Sequence, residues 1–131
     1  MTGHEEAINI GIARAHQSVR EAILLLDNWF YEAGVSRLYY SCFYIVRALL
    51  LSINIVPATH KGIQQMFGKH YVVRGIVSKE TGRFFSELFF MRQESDYKDL
   101  SEIKEAMALD LLAGTKSFIA EIEQLIKTQK L

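Results

Sequence analysis

What is scarce in this chain limits its architecture first. Among 131 residues there is one Pro, Pro57, so almost nothing interrupts helix formation along the apolar-patterned stretches. A single Cys, Cys42, excludes a disulfide within the chain, and its apolar neighbours mark it as a small buried hydrophobe. Charge of neither sign is in excess: 15 Lys and Arg oppose 15 Asp and Glu. A nucleic-acid surface driven by net charge is therefore unsupported, while a local basic pocket stays open. His4, His16, His60 and His70 lack metal-ligand spacing and no Cys/His cluster exists, so neither a metal nor a cofactor is expected. Gly62 and Gly68 are too scattered for a phosphate-cradling loop, and Ser41 and Cys42 have no adjacent His or acid to activate a nucleophile. No apolar run is a comfortable membrane span, and Met-Thr-Gly-His-Glu-Glu lacks a signal-peptide layout. A cytoplasmic protein without a membrane partner is expected.

What is present is helix. Half the residues are hydrophobic, enough to bury the core of one domain spanning 1–131. Ser36 to Leu51 contains no Gly or Pro and exceeds strand length. At about 100° per residue, Tyr39, Phe43, Val46 and Leu50 form one apolar stripe, and Leu38, Cys42, Ile45 and Leu49 the next. A helix apolar on so many sides lies at the centre of a bundle. Its remaining face carries Arg37, Tyr40, Tyr44 and Arg47, two cations interleaved with two phenols, and a buried Arg requires partners.

The other elements follow in order. Thr2-x-x-Glu5 is a capping box for a first helix whose inward face is Ile8, Ile12, Ala15, Val19, Ala22, Ile23 and Leu26, with Arg14 and Glu21 on the outer side. Asp27-Asn28 breaks it, and the central helix ends near Asn54, ahead of Pro57. Thr59 caps a short third helix from Lys61 to about Lys69, followed by helix end and loop to Val77. A fourth helix runs from Ser78 or Thr81 to about Tyr97, with Phe85, Leu88 and Phe89 inward and Arg92 and Asp96 on the same apolar face. The last helix runs to about Thr128, with Ile103, Met107, Leu111, Gly114, Phe118, Ile122 and Leu125 as its core stripe. Gly114 there lowers helix propensity and permits a close neighbour. The architecture is all-α, an antiparallel four-helix up-and-down bundle with one short extra helix.

Two inward-facing charged sets result. Asp96 could accept from Arg37 or Arg92, with the hydroxyls of Tyr40, Tyr44 and Tyr97 joining a polar network that sets helix register. The same residues equally suit a pocket where guanidinium groups meet phosphate and tyrosines stack on a base. Thr59-His60-Lys61-Gly62 is either a capped turn with solvated side chains or a helix start whose N–H groups attract an anion.

Ser36-Arg37-Leu38-Tyr39-Tyr40, Thr59-His60-Lys61-Gly62, Phe67, Gly75 and Arg92-Gln-Glu-Ser-Asp96-Tyr97 together resemble the small stand-alone prokaryotic HEPN-domain proteins. The resemblance implies a HEPN bundle, a homodimer, a nucleotidyltransferase partner and a toxin–antitoxin-like setting. It also implies a metal-independent ribonuclease signature, an Arg followed after four to six residues by His. Here Arg92 is followed after four residues by Tyr97, a phenol titrating near 10 and a poor general base. Phosphate binding survives that replacement better than cleavage. Arg37, Tyr40, His60, Lys61, Arg92, Asp96 and Tyr97 are the expected nucleotide- or RNA-binding residues. Arg92 and Tyr97 are also the catalytic candidates of the alternative, an endoribonuclease toxin; a purely structural adaptor is the third reading.

Overall fold

The computed structural model describes residues 2–95 and 103–129, with the side chains of 93–95 excepted. Five α-helices follow one another: α1 (Gly3–Asp27), α2 (Tyr31–Ser52), α3 (His60–Phe67), α4 (Lys79–Ser95) and α5 (Glu105–Gln129). No strand occurs among the described residues. α2 packs against all four others, as its nearly continuous apolar surface requires.

Thr2 and Thr59 cap α1 and α3 as their sequence context predicts, and of the two starts read for α4, Ser78 is the cap. Thr2 Oγ1 accepts from the Glu5 N–H at 3.1 Å, Thr59 Oγ1 from Gly62 N–H at 2.9 Å, and Ser78 Oγ from Thr81 N–H at 3.1 Å, satisfying orphan donors at three helix starts. α1 and α2 end in the same manner. Phe30 N–H reaches Leu25 O and Ile55 N–H reaches Leu50 O, both at 2.9 Å, around left-handed Trp29 (φ 65°) and Asn54 (φ 63°). α2 thus stops ahead of Pro57, through a turn centred on Asn54. The connection from α1 to α2 is three residues long, which brings the two helices side by side and antiparallel.

Small residues let α1 and α2 approach. Gly11, Ala15, Ser18 and Ala22 form the middle of the buried line of α1, between Ile8 and Leu26, and Ser41 Oγ of α2 donates to Ala15 O at 2.7 Å across the seam. Cys42 is fully buried, and burial pushes its thiol pKa well up, so it behaves as a hydrophobe. Beyond α3 the helix continues as a π-helical turn over Gly68–Val72 where the sequence suggests a frayed end and loop. The wider turn sets Tyr71 into the core, its hydroxyl bonded to the Gln129 side chain.

One stripe differs from expectation. The buried line of α5 is Ala108, Thr115, Phe118, Ile119, Ile122 and Ile126, while Met107 is 46% exposed and Leu125 is only half-buried. Ile103 is buried but precedes the helix. Phe118 and Ile122 are buried as expected, while at Ala108, Thr115 and Ile126 the buried position lies one residue further along than expected. Gly114 does permit close approach: a Cβ there would sit 2.5 Å from Cε1 of Phe84 on α4. Phe84 and Phe85 both lean on Phe118, with ring centroids 6.0 and 5.7 Å away.

Candidate functional site

Helical spacing sets Arg37, Tyr40, Tyr44 and Arg47 in a row along α2, and all four are half-buried on a face that other helices leave partly open. The sequence leaves open whether these arginines belong to a buried network or line a pocket, and the structure leaves them half-buried. At one end of the row, Arg37 Cζ lies 4.8 Å from the Tyr40 ring centroid, and Arg92 of α4 lies 5.0 Å from the same ring and 5.5 Å from Tyr39. At the other end, Arg47 lies 5.2 Å from Tyr44 and 5.3 Å from Phe43, and Arg14 of α1 reaches to 6.0 Å from Tyr44. Four guanidinium groups from three helices therefore gather on one aromatic ladder, attracted by the ring faces. Arg37 also pairs with Glu21 at 3.3 Å. Among the described residues, no ion pair involves Arg14 or Arg47.

The Thr59 cap places His60 at the first residue of α3, directly over α2. Its ring stacks on Phe43 with centroids 4.1 Å apart, stands edge-on to Tyr40 at 5.8 Å, and Nδ1 lies 2.8 Å from the Tyr39 hydroxyl. Tyr39 is fully buried, which raises its phenol pKa far above the ordinary range and keeps it protonated. Burial first, then the Arg92 and Arg47 charges, pushes the His60 pKa down, leaving a neutral imidazole at neutral pH. Beside it opens a cleft of about 350 Å³ whose walls include Arg14, Tyr40, Tyr44, Arg47, Thr59 and His60.

Of the residues expected from sequence, Arg37, Tyr40, His60 and Arg92 come together. Lys61 does not. It is exposed and faces a separate hollow of about 510 Å³ with Gln64, Gln65, Ser86, Phe89 and Phe90. Asp96 and Tyr97, and with them the suggested bonds from Asp96 to Arg37 or Arg92, lie outside the described residues. Sequence reasoning leaves out Arg14, which it assigns to the outer side of α1, and Tyr39, which it assigns wholly to the core. It sets Arg47 and Tyr44 in the row without adding them to the site. The alternation of Arg and Tyr on α2 is the available signal for Arg47. Nothing local signals Arg14, because its partner ring lies 30 residues further along the chain.

Among the described residues, no group of three His, Cys, Asp or Glu side chains could hold a metal ion. No helix among them is long and apolar enough to cross a membrane. The site can offer guanidinium groups for an anion, ring faces for stacking, and one neutral imidazole for hydrogen bonding or proton transfer.

Comparison with known proteins gives this arrangement a family context. The model of the HEPN domain matches residues 9–125. A UPF0332 protein of Thermotoga maritima is 35% identical over 130 residues, covering 99% of this chain and 98% of its own length. Two Methanocaldococcus jannaschii proteins, both named "Putative toxin", are 38% identical over 101 residues (77% of this chain, 69% of the relative) and 30% identical over 122 residues (93% and 90%).

Proposed function

This chain belongs to the HEPN domain family, and from that premise we propose that it is a toxin-like module that binds nucleotide or RNA phosphate at Tyr40. In this reading it works as a homodimer with a nucleotidyltransferase partner. The observation that carries the binding reading is the convergence of Arg37 and Arg92, from two helices, on one half-buried tyrosine. Guanidinium groups suit phosphate through their fork of donors, and a tyrosine beside them offers a face to a base. The names of the two archaeal relatives support the toxin-like part.

His60 favours a second reading, a metal-independent endoribonuclease. Tyr97 stands where the family signature has His, and a neutral imidazole on α3 near Arg92 is the group that such chemistry would need. One set of titrations separates the alternatives. Labelled single-stranded RNA and free nucleotides are titrated into the protein and into Arg92→Ala, with RNA integrity followed in EDTA. Binding that Arg92→Ala weakens, without cleavage, supports the module. Cleavage that His60→Ala abolishes supports the enzyme. Absent binding leaves a structural adaptor.

A further inference from the structure

We propose that the cleft at the Tyr44 end of the ladder is a second phosphate subsite, built by Arg14 and Arg47, so that the preferred ligand is a single strand bearing at least two phosphates. The inference rests on the reading of Arg37, Tyr40 and Arg92 as a phosphate and base site, and extends it to Arg14, Tyr44 and Arg47, residues that the resembled motifs do not include.

Three observations carry it. First, Arg14 and Arg47 come from different helices and meet over one ring, at 6.0 and 5.2 Å from Tyr44, repeating at this end the two-helix convergence on Tyr40. An arginine that only covered apolar surface would need no second cation beside it, since like charges repel. Second, neither has a carboxylate partner among the described residues, whereas Arg37 has Glu21, so an incoming anion would displace no ion pair here. Third, the pair borders a concave space of about 350 Å³, within the roughly 300–1,000 Å³ range of small-ligand pockets.

The spacing selects the ligand. Arg37 and Arg47 are ten residues apart along one side of α2, so their backbone positions are separated by roughly 15 Å along the helix axis. One phosphate cannot bridge that distance, and a mononucleotide would occupy one end only. Tyr40 and Tyr44 lie between, with ring centroids 6.1 Å apart, and present aromatic surface where the intervening base would stack. His60 adds a hydrogen-bonding wall to the same space.

Fluorescence anisotropy with a short labelled single-stranded RNA, repeated across a salt series, tests this in the full chain. Arg14→Glu and Arg47→Ala should each weaken binding roughly tenfold, the scale on which a charge-assisted hydrogen bond contributes. Each should also flatten the salt dependence, by about 0.7 in log–log slope for every phosphate that is no longer neutralised. Adenosine monophosphate should compete poorly with the oligonucleotide. Arg14 is exposed, so Arg14→Glu keeps the fold and decides the matter even if Arg47→Ala does not. If neither variant changes affinity or slope while Arg92→Ala weakens binding, the second subsite is overturned and the Tyr40 reading stands. If the unmodified protein binds no RNA, both are overturned.

Discussion

The Tyr39 hydroxyl and His60 Nδ1 lie 2.8 Å apart, tying a fully buried phenol of α2 to the first residue of α3. This bond couples the orientation of the imidazole to the core. The Phe43 stack fixes the plane of the ring and the hydroxyl fixes its rotation, so His60 is positioned from two directions. Charged groups approach it from α2 and α4, through Arg47 and Arg92, and both disfavour its protonation.

A pH dependence of stability follows from that environment. Unfolded His60 titrates near its ordinary value of 6.5, and the folded value is lower. Between the two, the unfolded chain binds more protons, so stability is fully present above pH 6.5 and falls as pH drops toward the folded pKa. Denaturant unfolding at a series of pH values should show this loss in the unmodified protein and a shallower one in His60→Gln. Equal slopes would mean that His60 titrates normally.

Glu21 and Arg37 form a partly exposed pair, with side chains 43% and 33% accessible. Water and ions screen such a pair, so Glu21→Gln should lower stability by less than about 1 kcal/mol. A loss of about 3–5 kcal/mol, the range for breaking a buried pair, would place Arg37 in a sealed environment instead. Urea unfolding distinguishes the two.

Two glycines should respond differently to a methyl group. A Cβ on Gly34 would fall 2.5 Å from Cδ2 and 2.8 Å from Cγ of Leu26, a buried side chain held between α1 and α2. On Gly114 it would meet the far end of the half-buried Phe84 ring at 2.5 Å, where the ring has room to swing toward solvent. Gly34→Ala should therefore lower stability by about 1–3 kcal/mol. Gly114→Ala should come closer to neutral, since a gain in helix propensity of about 1 kcal/mol offsets part of the clash. Thermal melts that reversed the order would show that the packing of α4 on α5 is the stiffer of the two.

Assembly is testable independently of any ligand. Phe90 on α4 and Met107 on α5 are 58% and 46% exposed, large apolar side chains left to water on two helices. A symmetric dimer that covers them should appear in light scattering as twice the 15.0 kDa chain mass at micromolar concentration. A single monomer mass throughout would remove dimerisation from the proposed function.

Local chemistry in the sequence determined the helices and their ends. Thr2 and Thr59 could be read as caps, and Ser78 as one of two candidates with Thr81, because a side-chain oxygen satisfies a backbone N–H three residues on, whatever lies elsewhere in the chain. The burial of Leu38, Cys42, Ile45 and Leu49 followed from a 3.6-residue period alone. The end of α2 near Asn54 was legible ahead of Pro57, while the left-handed turn at Asn54 that makes the stop was not. Tertiary structure decided the site. Arg14 reads as a surface residue of α1 until the small residues Gly11 and Ala15 bring that helix close to α2 and set its guanidinium over Tyr44. His60 reads either as a solvated turn residue or as part of an anion site until α3 lays it on Phe43 and within reach of Tyr39. Both relations join residues that no periodicity connects, so they exist only once the apolar faces of α1, α2 and α3 have packed.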